Sequence, residues 1–117
     1  MKNMKQITAI IRPEKFPDVF AALTEAGIMG MTVSDVKGRG NQKGIKLQSR
    51  GGSHEVSLLD KTQIMLVIND DDLEKTLDAI MKSAQTDMGP GDGKIFVSSC
   101  TEVLRIRTGE RNGNSCV

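Results

Sequence analysis

The chain is poor in aromatic side chains. It has no tryptophan and no tyrosine, and its three aromatic residues are all phenylalanine. Proteins that bind single-stranded nucleic acid stack the bases on aromatic rings, so this composition argues against such a platform. Charge is almost balanced, with 16 Lys and Arg against 15 Asp and Glu and a formal net charge of +1. A strongly basic nucleic-acid-binding face is therefore not indicated.

Cysteine and long apolar runs are also scarce. Cys100 and Cys116 are the two thiols, and their spacing matches neither a C-x-x-C metal site nor a disulfide framework. Reduced thiols in a cytosol are the plainer interpretation. The first residues lack the apolar segment of a signal peptide, and no apolar run approaches the about 20 residues that span a membrane. We therefore expect a soluble, cytoplasmic protein.

What the chain does contain is an ordered series of strand and helix patterns. Strand-like runs, rich in β-branched or other apolar residues, cover residues 7–11, 31–36, 64–68, 95–97 and 103–107. Apolar residues recur at helical spacing over 16–26 and 73–84. The order β-α-β-β-α-β predicts a single domain of the α+β class, a ferredoxin-like sandwich with two helices on one face of an antiparallel sheet.

The run 64–68 is apolar on both of its faces. Two helices cover only one face of such a sheet, so something else must cover the second. A partner subunit would do so, and sheet faces meeting around an axis would make a cyclic oligomer. The alternative is that the long loop of the same chain covers this strand. We favour the oligomer.

Periodicity disappears between about residues 38 and 60. This segment holds five glycines among many polar residues, and it is long for a connection within so small a domain. Such length indicates a functional or a flexible loop. We expect the polar tail from about 110 to 117 to be mobile as well.

Two motifs near the end of the chain suggest an anion site. Gly91-Asp92-Gly93-Lys94 is a glycine turn whose N–H groups and lysine suit phosphate, although alone it is closer to an ordinary turn. Arg105 and Arg107 are two residues apart, so we expect them to share one strand face, with Leu104 and Ile106 facing the core. Adjacent arginines require solvent, a carboxylate or a bridging anion, and these residues alone leave the three alternatives open.

Known catalytic and nucleotide-binding signatures are absent from the sequence. The glycine-rich segment 38–44 is neither a P-loop nor a dinucleotide fingerprint. The chain has one histidine and offers no Ser-His-Asp set and no metal cluster, which argues against a small nucleotide hydrolase. We therefore expect a protein that is not an enzyme.

Five segments together closely resemble the PII signalling proteins of nitrogen regulation: residues 9–13, 30–33, 38–44, 91–97 and 105–110. The resemblance runs from about Met4 to Glu110. It implies a homotrimer of the ferredoxin-like unit that binds ATP or ADP in the clefts between subunits. It also implies a long T-loop, here about residues 38–60, that binds an ammonium transporter, a metabolic enzyme or a regulator. Many members bind 2-oxoglutarate together with Mg²⁺ and ATP.

The resemblance assigns roles by matching position. The residues it implies for nucleotide binding are Ile10, Thr32, Gly40, Asn41, Gln42, Gly91, Asp92, Gly93, Lys94, Arg105 and Arg107, the last two from the neighbouring subunit. Those implied for 2-oxoglutarate are Gln42, Lys43 and Lys61, and Gln42 is also the implied contact of Mg²⁺ held through bound ATP. Arg50, at the loop tip, matches the arginine that enters the channel pore in some members.

Three residues suggest a divergent member of the family. Asn41 stands where many members have an arginine that reaches the terminal phosphates, which should weaken the preference for ATP over ADP. His54 replaces the loop tyrosine that other members uridylylate. Cys116 matches tail cysteines that act as redox switches in PII-like proteins of inorganic-carbon uptake. The alternative function is therefore an ADP- or AMP-responsive regulator of another transporter, such as one for bicarbonate.

Overall fold

An antiparallel sheet of four strands forms one layer of the computed structural model, which describes residues 3–40, 46–49, 52–55 and 58–112. The elements run in the order β1 (Met4–Ile11), α1 (Phe16–Glu25), β2 (Thr32–Gly38), β3 (Lys46–Ser49), β4 (Gly52–Glu55), β5 (Leu59–Asn69), α2 (Leu73–Ala84) and β6 (Gly93–Cys100). Short 3₁₀ turns, Pro13–Lys15 and Asp70–Asp72, lead into the two helices. No helix of the described residues is both long and apolar enough to cross a membrane.

The strand order in the main sheet is β2-β5-β1-β6, with every neighbouring pair antiparallel. Each half of the chain therefore contributes one central and one edge strand, which confirms the ferredoxin-like α+β fold expected from the sequence. Helix α2 has the predicted bounds, and α1 ends one residue before the predicted end. Gly27 follows α1 with a φ of 84°, in the left-handed region where helices commonly terminate.

The core lies between the helices and one face of the sheet. Cross-strand register places Ile7 opposite Leu66, and Ala9 opposite Ile64, so these side chains point to the same face. The buried apolar cluster consists of Ile7, Ala9, Ile11, Val19, Leu23, Ile28, Ile64, Leu66, Ile68, Ile80 and Ala84. Alternation along β1 and β5 thus supplies the sheet side of the core, and the apolar stripes of the helices supply the other.

The opposite face of the sheet, called the open face below, is partly apolar. Thr8 is paired with Met65 on one side and with Phe96 on the other. The side chain of Met65 is 36% exposed and that of Phe96 is 56% exposed. Val67 and Ile10 lie on this face and are half-buried. The predicted two-faced apolar character of β5 is therefore present, because its alternate residues reach both sides of the sheet.

The prediction of a strand over 103–107 is wrong. These residues begin a tight hairpin in which Leu104 forms an isolated bridge with Arg111. The N–H of Gly109 donates to the carbonyl of Arg105 at 2.7 Å, and Gly109 has a φ of 73°. The alternating apolar pattern resembles a strand, but the glycine favours a turn that reverses the chain.

This hairpin also corrects the expected orientation of its apolar side chains. Leu104 is 50% exposed and Ile106 is fully exposed, so neither faces the core. Arg105 is half-buried, and Arg107 lies in the turn and is exposed. The two arginines therefore do not share the face of a regular strand within this chain.

The segment between β2 and β5 contains regular structure that the sequence pattern did not predict. Strands β3 and β4 pair as a small antiparallel sheet, with Lys46 opposite Glu55 and Ser49 opposite Gly52. Neither strand has the apolar alternation by which a half-buried strand is recognised, because together they contain a single large apolar residue. At the base of the segment Lys37 and Asp60 form an ion pair of 2.6 Å.

Candidate functional site

A cavity of about 730 Å³ lies on the open face, beside the turn that precedes β6. It is bounded by the ends of all four main strands, the start of the long loop and the glycine turn. Its lining residues are Ile10, Val36, Lys37, Gly38, Arg39, Gly40, Leu59, Lys61, Gln63, Pro90, Gly91, Gly93, Lys94 and Phe96. We call this space the open-face cavity.

Strand register explains why these residues meet. Ile10 in β1 is opposite both Gln63 in β5 and Lys94 in β6, which places the three side chains in one row across the sheet. Lys61 lies two residues from Gln63 on the same face, and its partner in β2 is Val36. The floor of the cavity is thus Ile10, with Lys61 on the neighbouring strand β5 and Lys94 on the neighbouring strand β6.

Lys61 connects two walls of the cavity. Its Nζ donates a hydrogen bond of 2.6 Å to the carbonyl oxygen of Gly91. Lys61 belongs to β5 near the base of the long loop, whereas Gly91 belongs to the turn before β6. The hydrogen bond therefore couples the loop base directly to the glycine turn.

The glycine turn requires a residue without a side chain at Gly93. A Cβ there would lie 1.7 Å from the carbonyl oxygen of Ile10, and the φ of Gly93 is 114°. The backbone of the turn thus approaches β1 more closely than any L side chain allows. This approach holds Gly91 and Gly93 against the cavity.

Asp92 stabilises the turn through its carboxylate. One oxygen accepts a hydrogen bond of 2.9 Å from the Thr86 N–H, and the other accepts from the Thr86 hydroxyl and, at 3.1 Å, from Nε of Arg12. The hydrogen bonds from Thr86, and then that from Arg12, lower the pKa of Asp92 from its ordinary 3.8 to about 2. Asp92 is therefore ionised at neutral pH, and its negative charge is stabilised by hydrogen bonds from Thr86 and Arg12.

Arg12 holds the turn at a second point. Its Nη2 donates a hydrogen bond of 3.2 Å to the carbonyl oxygen of Pro90. Since Arg12 follows β1 directly, it ties both ends of the segment Pro90–Asp92 to the central strand. Sequence reasoning missed the roles of Arg12 and Thr86, and the only signal was the place of Arg12 in a segment that carried the family resemblance.

The structure brings together six of the residues that the sequence assigned to binding. Those lining the open-face cavity are Ile10, Gly40, Lys61, Gly91, Gly93 and Lys94. Asp92 lies next to them, with its carboxylate engaged by Thr86 and Arg12. Thr32 is on the same sheet face, opposite Met65 and exposed, but it does not line the cavity.

Arg105 and Arg107 do not reach the cavity of their own chain. Both belong to the hairpin beyond the far end of β6, and neither lines the open-face cavity. The Nε of Arg105 lies 3.9 Å from a carboxylate oxygen of Glu110 in the same hairpin.

Five further residues named from the sequence lie outside the described residues: Asn41, Gln42, Lys43, Arg50 and Cys116. The Mg²⁺ contact expected of Gln42 is among them. Within the part of the chain that the structure describes, no three His, Cys, Asp or Glu side chains are grouped so as to hold a metal ion.

The charge of the cavity favours an anion. Its lining includes four basic side chains, Lys37, Arg39, Lys61 and Lys94, and no acidic side chain is among the described residues that line it. Glycine turns also present backbone N–H groups, which bind phosphate and carboxylate oxygens. The arrangement can therefore hold a polyanion at the turn while an apolar part of the same ligand lies on the open face.

Comparison with known proteins gives one consistent result. Residues 4–110 match the sequence model of the family named nitrogen regulatory protein P-II. The chain is 56% identical to nitrogen regulatory protein P-II 1 of Methanothermobacter thermautotrophicus, over 94% of this chain and 95% of that protein. It is 47% identical to nitrogen regulatory protein P-II of Nostoc punctiforme, over 93% of this chain and 96% of that protein.

A solved structure is similar over nearly the whole chain. The crystal structure of Arabidopsis thaliana PII bound to citrate superposes with a TM-score of 0.79 at 34% sequence identity. The match covers 99% of this chain and 94% of the Arabidopsis chain. Sequence and structure comparisons thus agree on the same family.

Proposed function

The chain belongs to the nitrogen regulatory protein P-II family, a family of signalling regulators rather than enzymes, and from this premise we propose that it is a sensor of adenine nucleotides. It binds ATP or ADP in the open-face cavity. The long loop beside that cavity then reports the bound ligand to a transporter or a metabolic enzyme in the cytoplasm.

The observation that carries this proposal is the meeting of the glycine turn, Lys94 and Lys61 in one cavity. Lys94 supplies a compact positive charge, and the turn supplies N–H donors for phosphate oxygens. Ile10 and the apolar side chains of the open face suit the adenine. Gly40, at the start of the long loop, lines the same cavity.

The nucleotide site is completed by a neighbouring subunit of a homotrimer. Two observations support this part of the proposal. The hairpin places Arg105 and Arg107 away from the cavity of their own chain. The open face also exposes Met65 and Phe96, which a second sheet would cover. Guanidinium groups from the neighbour would bind phosphate oxygens in pairs, as their planar geometry favours.

A second ligand, 2-oxoglutarate, binds beside ATP with Lys61 as the partner of one carboxylate. Lys61 lines the cavity with its ammonium group at the glycine turn. The Arabidopsis relative was crystallised with citrate, which is also a small polycarboxylate. Gln42 and Lys43 complete this part of the site, and the Mg²⁺ supplied with ATP neutralises the charge between phosphate and ligand.

The loop carries the output of the sensor. Arg50 at its tip is the proposed contact with a membrane transporter such as an ammonium channel. The ADP- or AMP-responsive alternative depends on Asn41 and Cys116, which lie outside the described residues, so it stays a prediction from the sequence.

Isothermal titration calorimetry with ATP, ADP and AMP tests the proposed function. We expect ATP and ADP to bind the wild-type protein, and the double variant Arg105→Ala/Arg107→Ala to lose most of the affinity. Absence of binding for all three nucleotides, or equal binding by wild type and variant, would contradict the proposal.

A further inference from the structure

Ile106 is fully exposed, with 101% of its reference accessible surface. A single exposed apolar residue is common on protein surfaces. Ile106, however, stands in the turn of a short hairpin, with an arginine on either side of it. An apolar side chain presented in this way can enter a cavity on another surface.

Hydrogen bonds fix the hairpin that presents Ile106. The N–H of Arg105 donates to the carbonyl of Glu110 at 2.9 Å, beside the bond from Gly109 to Arg105. At the hairpin base, the N–H of Asn112 donates to the carbonyl of Val103 at 2.9 Å, and the Val103 N–H donates to Oδ1 of Asn112 at 2.8 Å. The position of Ile106 is therefore set before any contact forms, which lowers the entropy cost of docking.

A second cavity of about 360 Å³ lies between the C-terminal turn of α2 and the start of β6. We call it the helix-side cavity. Its apolar walls include Ile80, Met81, Ala84 and Ile95, and the charged residues Asp92 and Lys94 also line it. The cavity is large enough for a branched aliphatic side chain.

The two cavities share a wall. Ile10, Gly93 and Lys94 line both of them. An isoleucine seated in the helix-side cavity would therefore bring the residues next to it in sequence to the edge of the open-face cavity.

The helix-side cavity and the hairpin lie at opposite ends of β6. The cavity is at the Gly93 end, whereas the hairpin follows Cys100. At roughly 3.3 Å per residue, the strand separates its two ends by about 23 Å. No residue of the hairpin lines this cavity in the described chain. A hairpin of this kind could therefore enter the cavity only from another copy of the chain.

We propose that Ile106 anchors the contact between subunits by inserting into the helix-side cavity of the next copy of this chain. The inference rests on the oligomer of the proposed function and names the residue and the cavity that hold it together. Because the inserting residue and the receiving cavity are different surfaces, the contact is heterologous, and its repetition gives a closed ring when the rotation between neighbours is that of the proposed trimer.

The anchor also explains how Arg105 and Arg107 are positioned. Insertion of Ile106 holds both guanidinium groups beside Lys94 of the neighbour. Three cations then converge, while the nearby Asp92 carboxylate is already engaged by Thr86 and Arg12. A phosphate chain relieves this repulsion, so nucleotide should tighten the contact.

Sedimentation velocity of Ile106→Asp tests the anchor. We expect wild type to sediment as an oligomer, and Ile106→Asp to dissociate at concentrations at least tenfold higher and to lose ATP affinity. Met29→Asp, which alters another exposed apolar residue at 71% exposure, is the matched control and should remain oligomeric. Since Ile106 is fully exposed in the single chain, its replacement should leave the circular dichroism spectrum of the subunit unchanged.

Cross-linking tests the receiving cavity. In a background of Cys100→Ser and Cys116→Ser, Ile106→Cys is co-expressed with Met81→Cys and treated with a short bismaleimide. We expect covalent dimers from the mixture, and covalent rings from chains that carry both substitutions. Dimers formed by Ile106→Cys alone would indicate an isologous contact and overturn the proposal, as would the absence of any link to Met81.

Different results would contradict the proposed function and the Ile106 anchor. A wild-type protein that is monomeric and binds no nucleotide would overturn the proposed function together with the anchor. A wild-type oligomer that binds ATP, in which Ile106→Asp changes neither assembly nor affinity, would overturn the anchor alone. Recovery of assembly by Ile106→Leu would separate loss of the apolar contact from an unrelated defect.

Discussion

The Nζ of Lys61 lies 2.6 Å from the carbonyl oxygen of Gly91 and donates a hydrogen bond to it across the open-face cavity. One partner belongs to the base of the long loop and the other to the turn proposed to hold phosphate. A ligand carboxylate that binds Lys61 must compete with this carbonyl. Ligand binding at the cavity can in this way break the hydrogen bond that links the base of the long loop to the glycine turn.

Replacement of Lys61 should remove the proposed 2-oxoglutarate site. A charge-assisted hydrogen bond contributes about 1.5–3 kcal/mol, so Lys61→Ala should weaken 2-oxoglutarate binding in the presence of Mg²⁺ and ATP by about 10- to 150-fold. Calorimetry measures this change. Lys37→Ala is the control, because Lys37 lines the same cavity but is paired with Asp60. Undiminished binding by Lys61→Ala would exclude Lys61 from the role.

Replacement of Gly93 should destabilise the fold itself. A methyl group there would overlap the carbonyl of Ile10, so the strand and turn must separate. We expect Gly93→Ala to lower the free energy of unfolding by about 2–4 kcal/mol in urea titrations. At Gly89 the φ is 80° but a Cβ would meet nothing within 4 Å, so Gly89→Ala should cost only about 1–2 kcal/mol. Equal losses would argue against the close approach.

Acid should weaken the turn through Asp92. Its pKa is lowered from 3.8 to about 2 on folding, so its contribution to stability is complete above pH 3.8 and is lost as the pH falls from 3.8 towards 2. Asp92→Asn should therefore flatten the dependence of unfolding free energy on pH in this window. Thr86→Val should flatten it in the wild type, and should add nothing further in the Asp92→Asn background. An unchanged pH profile in Asp92→Asn would contradict this assignment.

Arg12 should affect ligand binding without touching the ligand. Arg12→Ala removes the bonds to Asp92 and Pro90, so the turn should open more often. We expect faster hydrogen exchange at residues 90–93 and about a three- to tenfold loss of ATP affinity, which corresponds to the about 1 kcal/mol of a typical hydrogen bond and somewhat more for a charged one. Arg12→Lys keeps the charge near Asp92 and should recover part of the affinity. Normal exchange with normal affinity would contradict a positioning role.

Much of the fold could be predicted from the sequence because its apolar residues follow regular patterns. The apolar stripe over 73–84 gave α2 with its observed bounds, and the continuous apolar run 64–68 marked the central part of β5. The run 103–107 alternates between apolar and basic residues at its end, yet it forms a hairpin, since Gly109 favours the reversal and its bond to Arg105 closes it. Local alternation cannot separate these outcomes when a turn follows so closely.

The candidate site could be predicted from the sequence only in part. Gly91, Gly93 and Lys94 were expected in the nucleotide site and Lys61 in the 2-oxoglutarate site, and the structure adds the hydrogen bond that joins Lys61 to the carbonyl of Gly91. Sequence reasoning assigned Asp92 to the nucleotide without seeing that its carboxylate is engaged by Arg12, which is 80 positions away along the chain. A contact over such a separation follows from sheet register and leaves no local pattern.

The most direct measurement of the central claim, a nucleotide site shared between subunits, is complementation between two defective variants. Lys94→Ala lacks the lysine of the turn, and Arg105→Ala/Arg107→Ala lacks the arginines that reach the neighbouring turn. Each alone should bind almost no ATP in calorimetric titrations. Co-expressed in equal amounts, they should regain about a quarter of the wild-type sites, because in a random ring an intact turn meets intact arginines with about that frequency. A mixture with no more binding sites than the separate variants would contradict a shared site.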